Sequence, residues 1–236
     1  MLLIKKGLVP EKLLAAKKEG CIRYDNLPSG VKQAIRTHLC KEQHGLCAYC
    51  MARVTDTRDF PIEHIIPRST PLTGDGLSLD WKNMVLSCDG GSGNNQSCDA
   101  IKSNKPLANL SPLDDACMKR IFYYPSGRIT SENDQYKHDL EEVLNLNNTL
   151  LVYKRKQIIT LLNRRESKRS GNKQAWKSHL LLQLENVKRP DGNGELPPLV
   201  GVSIWYLRTK YEKLSPGPQD RGRQGSGAEE IKQKRS

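Results

Sequence analysis

Between Cys47 and Lys105 the chain reads Cys47-Ala48-Tyr49-Cys50, then Ile62-Glu63-His64-Ile65-Ile66-Pro67, then Asp80-Trp81-Lys82-Asn83-Met84-Val85-Leu86, then Cys88, and last Cys98-Asp99-Ala100-Ile101-Lys102. Four sulfurs bracket one histidine and one asparagine. Two cysteines two residues apart on a tight turn can set both thiolates on one tetrahedral ion. Leu46 and Tyr49 give this first pair a knuckle-like setting. Cys88 and Cys98 complete a four-sulfur set, and soft thiolates in tetrahedral geometry favour zinc. A conventional knuckle puts two residues between its cysteines. Here the glycine-rich segment from Asp89 to Ser97 intervenes and must fold back to deliver both sulfurs. The bland alternative is a pair of buried free thiols or a redox pair.

Between the sulfur pairs, apolar and polar residues alternate around Glu63 and His64, which predicts a short strand. Neighbours on a strand leave on opposite faces unless its end is twisted. A twisted end lets Glu63 hold a cation while His64 faces a water. Neutral imidazole is a good general base near neutral pH, and the Asn83 carbonyl can fix its ring by accepting from one ring nitrogen. Asp99 opens a helix-like run and offers a second carboxylate for a hard cation such as magnesium or manganese. Lys102 is one turn further and could face the same pocket and meet a phosphate. A divalent ion there would polarise a phosphodiester and stabilise its leaving oxygen. A lone histidine is more often structural than catalytic; the acids and sulfurs around this one are what raise it.

This ordered pattern resembles the HNH (ββα-metal) nucleases that carry a zinc knuckle around a catalytic hairpin and helix. The resemblance implies an α+β fold, with a ββα-metal HNH core on a four-Cys knuckle, surrounded by helices and followed by a mostly helical C-terminal section. It implies His64 as general base, Glu63 as the metal-binding acid before it, and Asn83 as the central residue that orients the base. Asp99 stands at a last motif position that is usually His or Asn, and an aspartate there remains a hard oxygen ligand. Gln43-His-Gly-Leu-Cys-Ala-Tyr-Cys50, Leu79-Asp-Trp-Lys-Asn83, Phe122-Tyr-Tyr-Pro-Ser-Gly127 and Val143-Leu-Asn-Leu-Asn147 resemble one subgroup. It is the HNH nuclease subunit of Septu-type and retron-associated antiphage defence systems, and the likeness runs over roughly residues 30–165. It implies structural zinc on Cys47, Cys50, Cys88 and Cys98, and magnesium or manganese on Glu63 and Asp99. It also implies an ABC/SMC-like ATPase partner and, in retron systems, a reverse transcriptase with its nucleic acid.

The net charge of +12 is unevenly spread. Residues 1–150 are nearly balanced, with 19 basic and 18 acidic side chains, whereas residues 151–189 hold 11 basic and 2 acidic ones. Such a block suits a polyanion through phosphate contact and counterion release. Lys154, Arg155, Lys156, Arg164 and Arg165, together with Arg68 after the Pro67 turn, are the nucleic-acid-binding candidates. A solvated face or a surface for an acidic protein is the alternative. No apolar run approaches the length of a membrane helix, the opening Met1-Leu-Leu-Ile4 is too short for a signal peptide, and seven cysteines, an odd number, argue against a secreted disulfide framework. The expected compartment is the cytoplasm, away from membranes.

Four sections follow from the chain in order. Residues 1–45 form an N-terminal helical segment, with a short edge strand at Leu2–Ile4, a helix after Pro10 and a better helix over 30–45. Residues 46–106 form the nuclease core, in which Trp81 packs the base of the site and Thr73–Gly76 makes a turn. Residues 107–214 open with a helix capped by Ser111, then a hairpin turning at Gly127, then helices from Tyr136, Thr149 and Lys173. Leu199–Leu214 reads equally as helix or strand. Residues 215–236 hold few apolar side chains and are expected to be disordered. Cys21, Cys40 and Cys117 read as ordinary buried thiols, and His44 as a surface cap or a stand-in metal ligand. Three functions compete: a metal-dependent endonuclease acting on DNA first or on RNA, transfer RNA included; a non-catalytic zinc module that docks a partner; and a regulator that binds DNA without cutting it.

Overall fold

Apolar residues on both sides of Glu63-His64 and of Asn83 build a two-stranded antiparallel ladder in the interior. β1 (Ile62–His64) pairs with β2 (Met84–Leu86) in the register Ile62↔Leu86, Glu63↔Val85, His64↔Met84. All six residues are buried, so the polar pair on β1 is held among hydrophobic neighbours rather than on a solvated face. The computed structural model describes residues 1–55, 60–70, 76–167 and 172–214. The expected turn at Thr73–Gly76 falls largely outside these residues, and the C-terminal tail wholly so.

α1 (Glu11–Lys18) and α2 (Ser29–Glu42) precede the ladder and pack on each other. Pro10 and Pro28 stand just before them, where a missing N–H costs nothing. Ile35 and Leu39, four apart, bury the inner face of α2. Leu2–Ile4 forms no strand: Ile4 is buried and its N–H donates to Pro112 O at 2.8 Å, a single tie rather than a ladder. After β2 comes α3 (Asp99–Lys102), one short turn of helix, which completes a ββα arrangement.

The C-terminal section follows the predicted order with local changes. α4 (Asp115–Lys119) is capped by Asp114, whose carboxylate accepts from Ala116 N at 2.9 Å; Ser111 instead accepts from Leu113 N at 3.2 Å and shapes the turn before it. β3 (Ile121–Tyr123) and β4 (Ile129–Ser131) form the expected hairpin. Gly127 at its turn has φ +92°, and a Cβ there would lie 2.2 Å from Val152 O, so both the turn and the close approach of the next helix require glycine. α5 (Asp134–His138) runs into a π-helical turn over Asp139–Val143, where a plain helix was expected. The extra residue brings the buried Asp139 carboxylate onto three consecutive backbone N–H groups, those of Ala108, Asn109 and Leu110, at 2.9, 3.1 and 3.0 Å.

α6 (Thr149–Ser167), α7 (Lys173–Lys188) and α8 (Val200–Lys213) close the described fold, with α8 packed on both others. The undecided 199–214 stretch is thus helical. Its period-two look comes from Val200 and Val202, both buried in the first turn, with Gly201 between them close against Met51 and Met1. One apolar core runs from Met1 and Ile4 through the knuckle and both ladders to Tyr206 and Leu207. Among the described residues no helix is long and apolar enough to cross a membrane.

Asp139→Ala removes the acceptor of three N–H groups, of which only that of Leu110 is buried. Urea unfolding should show a loss of about 1–3 kcal/mol, the penalty of one buried donor; no loss would mean the loop finds other acceptors.

Candidate metal centre and catalytic site

The knuckle is a tight hairpin. Leu46 bridges Arg53, Cys47 N–H donates to Ala52 O at 2.8 Å, and Met51 N–H returns to Cys47 O at 3.0 Å. Ala48 N–H then bonds Leu86 O, which ties this turn to the end of β2, two residues before Cys88. Gln43 makes the same join from α2: its amide donates to Leu46 O and Leu86 O, both at 2.8 Å, and accepts from Leu86 N at 2.7 Å. The sequence carried no signal for this buried glutamine.

The loop after Cys88 does fold back. Gly90 has φ +76°, and a Cβ there would stand 2.1 Å from Ser97 O and 2.6 Å from the Ala100 Cβ. Cys98 itself holds a positive φ of 52°, a costly conformation for a side-chain-bearing residue, and its N–H is anchored to Leu144 O at 3.0 Å. The result is four buried sulfurs all within 4.8 Å of one another, with Cys47–Cys98 at 3.9 Å and Cys50–Cys88 at 3.6 Å. Sulfurs at about 2.3 Å from a tetrahedral ion stand about 3.8 Å apart. The donor set therefore fits one tetrahedral metal and is compatible with a zinc knuckle. Hydrogen bonds from its three neighbours hold Cys47 well below the usual thiol range, while Cys50 and Cys98 are pushed up by sharing that proton set and by burial. One thiol is already inclined to ionise, as a metal ligand must. His44 is no part of the cluster: its Nδ1 meets Gly194 O at 2.9 Å.

Cys98 is also the residue from which α3 starts, so the sulfur site and the carboxylates share a backbone. Asp99 comes into side-chain contact with Glu63 of β1. Lys102, wholly buried, brings its Nζ to 2.5 Å from Glu63 Oε1, at an angle unsuited to a hydrogen bond, and donates to His64 O at 3.3 Å. Burial, with Asp99 alongside, pushes the Glu63 carboxyl up to about 7 against the pull of Lys102. The buried Glu63 and the half-buried Asp99 thus share one ammonium between two carboxyl groups. This oxygen-donor set fits a hard divalent cation.

His64 leaves β1 on the other side. Its Nε2 lies 3.0 Å from Ser78 O, and Tyr24 packs edge-on against its ring at 5.1 Å. A carbonyl only accepts, so Nε2 carries the proton and Nδ1 keeps the lone pair. Burial lowers the imidazole to about 4. Asn83 does not touch the ring. Its side chain accepts from Ile66 N at 2.8 Å and donates to Ile66 O at 3.0 Å and Leu77 O at 3.3 Å. It orients the base only through the backbone, by locking the turn that follows β1.

Residues 47–89 match the family described as HNH endonuclease. The chain carries an HNH endonuclease domain. Two further proteins resemble the chain. One is the "Retron Vc95 putative HNH endonuclease" of Vibrio cholerae serotype O1 biovar El Tor, 27% identical over 139 residues, 56% of this chain and 67% of the relative. The other is the "Retron Ec83 putative HNH endonuclease" of Escherichia coli, 31% identical over 81 residues, which cover 30% of this chain and 31% of that relative. The HNH match holds Cys47, Cys50, Glu63, His64, Asn83 and Cys88, and stops short of Cys98, Asp99 and Lys102.

Two expected roles change in the HNH domain and around it. Lys102 cannot meet a phosphate, because it is sealed in the interior against Glu63. Arg155 cannot meet nucleic acid: it is among the largest fully buried side chains, donating to Leu146 O at 2.7 Å, with its guanidinium 5.8 Å from the Tyr123 ring centre. Helical spacing puts it on the inner face of α6 with Leu151, Ile159 and Glu166. Trp81 is interior as expected, with the Lys6 ammonium 3.5 Å from its ring centre. Lys154, Lys156, Arg164 and Arg165 are exposed on α6, and Arg68 lies at the surface beside Tyr24 and Asp25. Cys117 is buried as expected, whereas Cys21 and Cys40 are only half-buried.

The His64 ring should titrate near pH 4 by NMR. Its folded value lies below the ordinary 6.5, so its contribution to stability is full above 6.5 and is lost as pH falls toward 4. Glu63 runs the other way: its contribution is full below 4.5 and is lost as pH rises through about 7. A His64 midpoint at the ordinary value would show an open, solvated ring.

Proposed function

We propose that this chain is a metal-dependent endonuclease that hydrolyses phosphodiester bonds, with DNA as its first substrate. One observation carries the reading: a neutral imidazole whose Nε2–H is held by Ser78 O sits on β1 next to Glu63, which meets Asp99 of α3. At physiological pH His64 is unprotonated and its Nε2–H is tied to Ser78 O, so Nδ1 is the atom that takes a proton from an attacking water. Glu63 and Asp99 would hold magnesium or manganese, which when bound polarises the phosphate and stabilises the leaving oxygen. Lys102 opposes the burial that raises Glu63 and keeps its carboxyl placed in the absence of that ion. Asn83 fixes the turn that follows His64. Cys47, Cys50, Cys88 and Cys98 would hold zinc as scaffolding, since four buried sulfurs fill a tetrahedral set and leave no open position.

The exposed cations of α6 and Arg68 would carry the nucleic-acid backbone. Tyr153, exposed between Lys154 and the rest of that face, offers a ring on which a base can stack. The two relatives are named for retrons, which supports work in a retron-type antiphage system beside a reverse transcriptase and an ATPase subunit of the ABC/SMC-like class, in the cytoplasm. RNA as substrate and a purely docking zinc module are the outcomes that would replace this reading.

His64→Ala should abolish cleavage of both plasmid DNA and transfer RNA, assayed with magnesium, ATP and the partner subunits. It should leave the fold and zinc content intact; cutting that survives would remove His64 as the base. Metal analysis should give one zinc per chain. Cys50→Ser or Cys98→Ser should lose it and most of the fold's stability, about 10 kcal/mol of binding being typical of such sites, while Cys21→Ser keeps both. A full zinc complement in the Cys98→Ser protein would put the ion elsewhere.

A further inference from the structure

The segment before α2 forms a cover over the candidate base. Tyr24–Asn26 is a single 3-10 turn. Its Tyr24 ring meets the His64 ring edge-on at an 80° interplanar angle. Tyr24 N–H donates to Ser78 Oγ at 2.9 Å, and Ser78 O is the acceptor for His64 Nε2, so one serine holds both the cover and the base. His64 is only 5% exposed as a result. No water-activating residue can reach a phosphodiester from beneath such a cover.

Two cations converge on the same tyrosine. The Lys32 ammonium and the Arg68 guanidinium carbon each lie 5.1 Å from its ring centre. Both are bound to the neighbouring residue: Arg68 pairs with the Asp25 carboxylate, and Lys32 Nζ donates to Asp25 O at 3.2 Å. Arg68 holds that carboxyl below the usual carboxylate range. The Asp25 side chain is 74% exposed, so the pair stands at the surface, where an ion pair contributes little and exchanges readily. A guanidinium on the Asp25 carboxylate and an ammonium on the carbonyl of the same residue form a donor set that suits phosphate equally well, and arginine takes phosphate in a bidentate fork.

We propose that Arg68 and Lys32 form a phosphate subsite beside His64, and that Asp25 fills this subsite in the free chain while Tyr24 closes over the imidazole. The inference rests on the endonuclease reading and adds its entry step. A nucleic-acid phosphate displaces the Asp25 carboxylate, the 3-10 turn lifts, and the same exchange uncovers Nδ1. Binding of backbone and exposure of the base are then one event. The free chain is restrained without any other subunit.

The test uses the full chain with its zinc, a fluorescein-labelled 20-base-pair DNA and no added magnesium. Asp25→Asn keeps the shape of the residue and removes its charge. It should raise DNA affinity about 5-fold, the size of one exposed ion pair, and speed modification of His64 by diethyl pyrocarbonate, mapped by peptide mass spectrometry. Adding Arg68→Gln to Asp25→Asn should cancel the affinity gain while His64 stays reactive. Tyr24→Leu should speed the modification without raising affinity. Circular dichroism melts check that each variant folds. Unchanged His64 reactivity and affinity in Asp25→Asn overturn the proposal, as does an affinity gain that survives loss of Arg68. These readouts need no cleavage. A chain that never cuts but shows them keeps the subsite and loses the nuclease reading; a chain that cuts but lacks them does the reverse.

Discussion

Four sulfurs from two distant stretches of chain must meet within 4.8 Å before anything else near His64 has a position. The first pair belongs to a hairpin stitched to β2 by Ala48 and Gln43. The second pair spans the end of β2 and the start of α3. Bringing them together closes a loop that contains both strands of the ladder, and an ion shared by the four thiolates would offset that loss of chain entropy. β1 and β2 are three residues each, too short to stand alone in water. The ladder is therefore a consequence of the sulfur site as much as of its own hydrogen bonds.

A divalent ion with four thiolates carries two net negative charges. Arg155 answers this from the far side of the core. Its guanidinium has no carboxylate partner, its Nε lacks a hydrogen bond, and burial lowers its pKa while Tyr123, Cys50 and Cys98 pull it back. A buried cation of this kind is costly unless an anion lies within reach. The Cys98 N–H bond to Leu144 O and the Arg155 bond to Leu146 O place the sulfur site and α6 on one short turn. The C-terminal helices thus share an electrostatic anchor with the HNH domain.

Much of this was legible in the sequence because it rests on spacing. The Cys47-x-x-Cys50 pair, the Ile-Glu-His run, the hairpin at Gly127 and the helices over 149–188 are local patterns, and each formed where its periodicity or turn chemistry placed it. The failures concern side chains whose partners are distant. Nothing in Lys102 or Arg155 announces that it faces inward, since a basic residue on a helix is read as exposed unless its face is known. Asn83 was assigned to the imidazole because both belong to the same motif, but the free carbonyl and amide groups of the Ile66 turn were nearer. Gln43, Tyr24 and Asp25 carried no signal, because their roles come from segments 40 or more residues away. Ser111 lost the cap of α4 to Asp114 by three residues, the scale on which helix ends are least fixed by sequence.

The single turn of α3 begins at Cys98 and ends at Lys102, with Asp99 between them. The soft-ligand Cys98 and the hard-ligand Asp99 are thus adjacent at the start of a rod about 6 Å long, at 1.5 Å per residue, with Lys102 at its other end. A reagent that strips metal from the thiols would release the rod at its first residue and carry Asp99 away from Glu63. Such an electrophile would act on the carboxylates through the backbone, without touching Glu63 or His64.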